Sequence, residues 1–79
     1  MAKKRPKPKD PVLVRIGENL RKAREKRGLS QEELAFQAGV HRTYVGGVER
    51  AEYNVTVLTL LRFTKALGIT VQDAIRGLS

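Results

Sequence analysis

Residues 30–50 read SQEELAFQAGVHRTYVGGVER, and the rest of the chain is organised around them. Ser30 followed by Glu33 fits an S-x-x-E capping box: the hydroxyl accepts from the Glu33 amide and the carboxylate reaches back to the Ser30 amide. Leu34, Ala35 and Ala38 then give a small apolar face, predicting a helix over about 31–38. Gly39 falls where a helix ends in a left-handed residue, a conformation only glycine adopts cheaply. After Val40, the run His41-Arg42-Thr43-Tyr44 opens a second helix, about 42–49, with Val45 and Val48 turned inward. Gly46 and Gly47 lie inside it. Each costs roughly 1 kcal/mol relative to alanine, so the pair is read as close approach to another surface, such as DNA or the preceding helix, the plainer reading being tolerated drift. The unit is two short helices joined by a glycine turn.

Working outward, Leu13, Ile16, Leu20 and Ala23 recur at spacings of 3, 4 and 3, one face of a first helix running from near Asp10 or Pro11 to Arg27. Asp10 suits its N-cap and Pro11 its first turn. Gly28 suits the position just past its end, with Leu29 as the apolar contact that follows. Beyond the central unit, AEYNV at 51–55 reads as a connecting loop and Thr56 as the N-cap of a fourth helix over 57–67. Its apolar face is Val57, Leu60, Leu61, Thr64 and Leu67, with Phe63 beside it. Gly68 and Ile69 close it. Thr70 and Asp73 form a weaker capping box for a fifth helix over about 71–78, with Val71, Ala74, Ile75 and Leu78 on one face.

The 79 residues make one small all-α domain, expected over 12–79, with residues 1–11 as an arm. A core this size is marginal, so a compact bundle or a dimer is expected. Leu58 lies off the main stripe, and Ile75 and Leu78 come at the chain end. This apolar surplus predicts a homodimer interface, the plainer reading being a last helix that closes the monomer core. Cysteine is absent and there is one histidine, which exclude thiolate and disulfide chemistry and argue against a zinc site or other metal. No nucleophile–base–orienter set or phosphate loop is present, so no enzyme and no cofactor is expected. No apolar stretch approaches the ~20 residues a membrane span needs. No apolar segment follows the basic N-terminus, so it is not a secretory signal, and the expected location is the cytoplasm.

The formal net charge is +8. Residues 1–11, MAKKRPKPKDP, carry Lys3, Lys4, Arg5, Lys7 and Lys9 against Asp10 alone, half of that excess. Pro6, Pro8 and Pro11 preclude a continuous helix there, so the segment reads as a disordered basic arm. Such a balance favours a polyanion, either nucleic acid or an anionic membrane surface. An arm of this kind can lie along DNA phosphates or enter a minor groove, or serve only as a solubilising tail.

From Ile16 onward the chain resembles the phage-repressor-like (Cro/C1, or Xre) helix-turn-helix family. The residues that carry the resemblance are LRKAREKRGLSQEELAFQAGV, HRTYVGGVERAEYN and TLLRFTKALGI, which together with their flanks span about 12–78. HRTYVGGVER looks most like the controller proteins of restriction–modification systems. The resemblance implies a compact five-helix repressor-like domain whose 42–49 helix enters the DNA major groove. On that basis His41, Arg42 and Thr43, with Gly46 or Gly47 one turn on, match the base-contacting positions. Arg42 is the leading candidate, since a guanidinium binds guanine O6 and N7 in a bidentate manner. Ser30 and Gln31 at the second helix's start, Tyr44, and Arg50 and Asn54 after the third helix match phosphate-contacting positions. Arg24 and Glu49 match a partly buried salt bridge between the first and third helices. The pattern is broken at Val55, where a proline is common, at Leu58, where a polar residue is usual, and at the two glycines.

The function this implies is a sequence-specific transcriptional regulator that binds a palindromic operator as a homodimer in a prokaryotic or phage nucleoid, with double-stranded DNA, a second copy of itself and RNA polymerase as partners. The alternative is an antitoxin-like protein-interaction module that binds DNA only for autoregulation. Against RNA, the four aromatics, Phe36, Tyr44, Tyr53 and Phe63, form no stacking platform in the sequence.

Overall fold

The computed structural model describes residues 9–78. Five helices follow one another: α1 (Pro11–Lys26), α2 (Gln31–Ala38), α3 (Arg42–Glu49), α4 (Val57–Leu67) and α5 (Val71–Ala74). All-α is the fold class the sequence predicts. Lys3, Lys4, Arg5 and Lys7 of the expected arm lie outside the described residues; Lys9 is exposed.

Three of the four links share one tripeptide logic. In Gly28-Leu29-Ser30, Gly39-Val40-His41 and Gly68-Ile69-Thr70, a glycine ends one helix, an apolar residue packs on the core, and a polar residue caps the next helix. The amide of each apolar residue donates to a carbonyl five residues back, Leu29 to Arg24 at 3.1 Å, Val40 to Ala35 at 3.0 Å and Ile69 to Thr64 at 3.0 Å. These bonds occupy carbonyls that would otherwise be orphaned at a helix end. The fourth link makes the same bond, Glu52 to Gly47 at 2.8 Å, but its left-handed residue is Ala51, at φ 61°. A left-handed alanine is strained by about 1–2 kcal/mol.

The core is built from Ile16 and Leu20 of α1, Leu34, Ala35 and Ala38 of α2, Val45 and Val48 of α3, Leu60, Phe63 and Leu67 of α4, and Ala74 of α5. The stripe on α4 differs from the expected one. Leu60, Phe63, Thr64 and Leu67 face inward, whereas Val57 and Leu61 are exposed. The buried Thr64 hydroxyl donates to the Leu61 carbonyl at 3.1 Å, which satisfies it inside the core.

Gly17, two turns before Arg24 on α1, lets α1 close on the end of α3. A Cβ there would lie 2.6 Å from the Val48 carbonyl oxygen and 2.7 Å from that of Glu49. Those are backbone atoms of a packed helix and have little room to yield.

The fifth helix is shorter than expected, four residues rather than about eight. The Asn19 side-chain amide donates to the carbonyls of Ala74 and Arg76, both at 2.9 Å, and draws them out of a helical ladder. Gly77 follows at φ 90°. Ile75 and Leu78, expected at a dimer interface, are partly buried and pack against the core. The turn carries them back onto the bundle, closing the monomer.

Candidate nucleic-acid interface

The N-terminal end of α2 and the exposed side of α3 enclose one open groove, lined by Gln31, Glu32, Arg42, Thr43, Gly46 and Arg50. The fold dictates this placement. Ser30 caps α2, accepting from Glu33 N at 2.9 Å while Glu33 accepts from Ser30 N at 2.8 Å. That reciprocal pair holds the Glu33 carboxyl below its usual range, the Ser30 amide contributing more than the hydroxyl. Gln31 and Glu32 are thereby fixed in the first turn of α2, over α3.

His41 caps α3. Its Nδ1 accepts from the Thr43 amide at 3.2 Å and lies 2.8 Å from the Thr43 hydroxyl. Arg42 points from the first turn to Glu32, Nη1 to Oε2 at 3.0 Å, with both side chains exposed. Arg50, just past α3, meets Glu52 through two bonds of 3.1 Å. This fork holds the Glu52 carboxyl down and the Arg50 guanidinium up from their ordinary values. Gly46 forms the floor. A Cβ there would come 2.9 Å from Arg50 Nη1 and 3.4 Å from Gln31 Oε1.

Beneath the groove, Arg24 and Glu49 form a bidentate ion pair, Nε to Oε2 at 2.7 Å and Nη2 to Oε1 at 3.1 Å. The Glu49 side chain is 4% exposed and that of Arg24 12%. Gln31 Nε2 adds a third bond to Glu49, at 3.0 Å, and Arg24 Nη1 donates to the Leu29 carbonyl at 2.7 Å. The Glu49 hydrogen bond is the main cause that pushes the Arg24 pKa up, against the effect of burial. One carboxylate therefore ties α1, α2 and α3 together.

Of the residues expected to contact bases, His41, Arg42, Thr43 and Gly46 fall together at the groove and the α3 tip. Gly47 does not. Both glycines are buried, but Gly47 lies under the Tyr53 ring, which a Cβ there would strike. The close approach that the paired glycines imply is, at Gly47, an internal aromatic contact. Tyr44 is likewise drawn inward. Its ring stacks on Tyr53 at 5.4 Å and on Phe63 at 6.2 Å between centroids. Ser30, Arg50 and Asn54 are exposed, whereas Gln31 is half-buried and already bonded to Glu49. Sequence reasoning missed Glu32, Glu52 and Tyr53. Glu52, two residues from Arg50, was open to recognition by charge alternation; no periodicity connects Glu32 to Arg42.

The sequence profile of the helix-turn-helix family matches residues 20–73, from the middle of α1 into α5. The chain belongs to this helix-turn-helix family. Its activity is that of the family, DNA-binding transcription regulation. The chain is 52% identical over 56 residues to control protein C.SmaI of Serratia marcescens, covering 71% of this chain and 67% of that one. It is 38% identical over 63 residues to control protein C.BamHI of Bacillus amyloliquefaciens, covering 78% of each. The crystal structure of the restriction–modification controller protein C.AhdI from Aeromonas hydrophila superposes with a TM-score of 0.77 at 47% identity, over 78% of this chain and 94% of that one. Among helix-turn-helix proteins, the chain is thus similar to controllers of restriction–modification systems.

Proposed function

We propose that the chain binds a palindromic operator as a homodimer, α3 of each copy entering the major groove. The observation that carries this reading is the groove between α2 and α3, where Arg42 and Arg50 stand exposed on either side of a floor formed by the buried Gly46. Arg42, Thr43 and His41 read base edges. Ser30, Arg50 and Asn54 meet phosphates, and the amides of the α2 first turn add the favourable end of the helix dipole. Residues 12–79 are the DNA-binding unit, and the basic residues before them add a sequence-independent hold on the phosphate chain. Two copies related by a two-fold axis present their α3 helices about 34 Å apart, one turn of duplex. Repression follows from obstructing RNA polymerase at the operator, and activation from touching it. Similarity to control proteins favours this regulator over a module whose main partner is a toxin.

Selection of bound duplexes from a random library is the test. The expected product is an inverted repeat with half-site centres one helical turn apart. Recovery of sequences with no shared motif would refute base reading.

A further inference from the structure

The groove assigned to DNA does not present free positive charge. In a chain of net charge +8, both arginines that line it are held by carboxylates, Arg42 by Glu32 at 3.0 Å and Arg50 by Glu52 at 3.1 Å. The other polar groups are also engaged, Gln31 with Glu49 and Thr43 with His41. Arg27, Arg62 and Lys65, which line a second groove between the C-terminal parts of α1, α2 and α4, form no ion pair among the described residues. Simple attraction to phosphate would place the free cations on the reading surface and the paired ones elsewhere. The structure instead holds both groove arginines on carboxylates, as it does Arg21, Arg24 and Arg76 elsewhere.

Glu32 has no structural task that requires its charge beyond a place in the first turn of α2. The cap is made by Ser30 and Glu33, and the Glu32 side chain is 73% exposed. We propose that Glu32 is a specificity-determining residue: it occupies Arg42 in the free protein, so that Arg42 is released only to a base that replaces the lost ion pair. This rests on the DNA-reading assignment above. Guanine offers such a replacement, since O6 and N7 accept both arms of the guanidinium. The cytosine paired with it offers its N4 amino group to the freed carboxylate. A duplex without that base pair offers neither, so Arg42 stays on Glu32 and adds nothing to the hold on its phosphates. The acid thus penalises wrong sequences more than the right one, which is how discrimination is gained without added affinity. Glu52 differs in its consequence. Arg50 meets phosphate, which every sequence has, so its pairing with Glu52 weakens all duplexes alike.

The experiment compares wild type, Glu32→Gln, Glu32→Lys and Glu52→Gln on the selected palindrome and on a scrambled duplex of equal length, over a range of salt. Glu32→Gln should tighten the scrambled duplex by up to about fivefold, the scale of an exposed ion pair, while the palindrome changes less. The salt slope on scrambled DNA should steepen by roughly 0.9 for the freed arginine. Glu32→Lys should lower the ratio of the two affinities further. Glu52→Gln should tighten both duplexes equally and leave the ratio unchanged. Equal tightening of both duplexes by Glu32→Gln, or an unchanged slope, overturns the proposal. A wild-type protein that shows no preference for the palindrome instead overturns the DNA-reading assignment on which it stands.

Discussion

Arg42 is exposed in the first turn of α3, where its ion-pair partner among the described residues is the carboxylate of Glu32. Replacing it with alanine removes a bidentate donor without disturbing the core. The expected result is a loss of ~1–3 kcal/mol of discrimination at a single base pair, measured by competition with singly substituted operators. A loss shared equally by random DNA would assign Arg42 to the phosphate chain instead. Glu49 behaves differently because it is buried under three donors. Glu49→Ala should cost about 3–5 kcal/mol by leaving Arg24 charged and unpaired, while replacing Arg24 and Glu49 together with apolar residues should cost much less. Denaturant unfolding of the two single variants and the double variant measures the coupling, and additive losses would show that the pair is not a unit.

At the scale of helices, two capping boxes start α2 and α5, and each draws on a carboxylate. Glu33 and Asp73 are both held below their ordinary values of 4.5 and 3.8, by bonds from the Ser30 and Thr70 amides first, then from the matching hydroxyls. A carboxylate with a depressed folded value contributes stability that is fully present above its unfolded value and lost as pH falls through the folded one. Thermal midpoints should therefore hold steady on this account down to about pH 5 and fall below the ordinary carboxylate range. Glu33→Gln should flatten that acid limb, and an unchanged limb would show that the cap carries no pH dependence. Helix starts and stops were legible in the sequence because caps and glycines act within a few residues. The end of α5 was not, since it is set by the Asn19 side chain on α1, 55 residues from Ala74. Nor was the fate of Gly47, because the ring that covers it arrives from a loop with no periodicity to read. The groove was legible in part. Turn position placed His41, Arg42 and Thr43 at the α3 tip, whereas the pairing of Glu32 with Arg42 depends on how α2 crosses α3.

Beyond Phe36 on α2, Val12 on α1 and Tyr53 in the loop before α4, the exposed large apolar side chains among the described residues gather on α4 and α5. Leu58 is 63% exposed, and Val57, Leu61 and Val71 are exposed with it at the starts of α4 and α5. Ile75 and Leu78 have been drawn into the monomer. Among the described residues no helix is long and apolar enough to cross a membrane. In the proposed dimer, Leu58 and its exposed neighbours supply the apolar surface left open by the monomer. Leu58→Glu should shift sedimentation toward monomer and weaken the palindrome while leaving the thermal midpoint of the monomer nearly unchanged. Leu78→Glu should lower the midpoint itself. A dimer unaffected by Leu58→Glu would place the interface elsewhere.

The ion pair under α3 has a consequence for how such a protein can change its target. Glu49 anchors the far end of the helix to α1 and α2, and Gly17 keys that same end against α1. The tilt of α3 is thus inherited from parts that do not read bases. Residues 41–43 form an exposed bit held in a fixed chuck. Exchanging the bit should retarget the protein while leaving its docking angle and half-site spacing as they were.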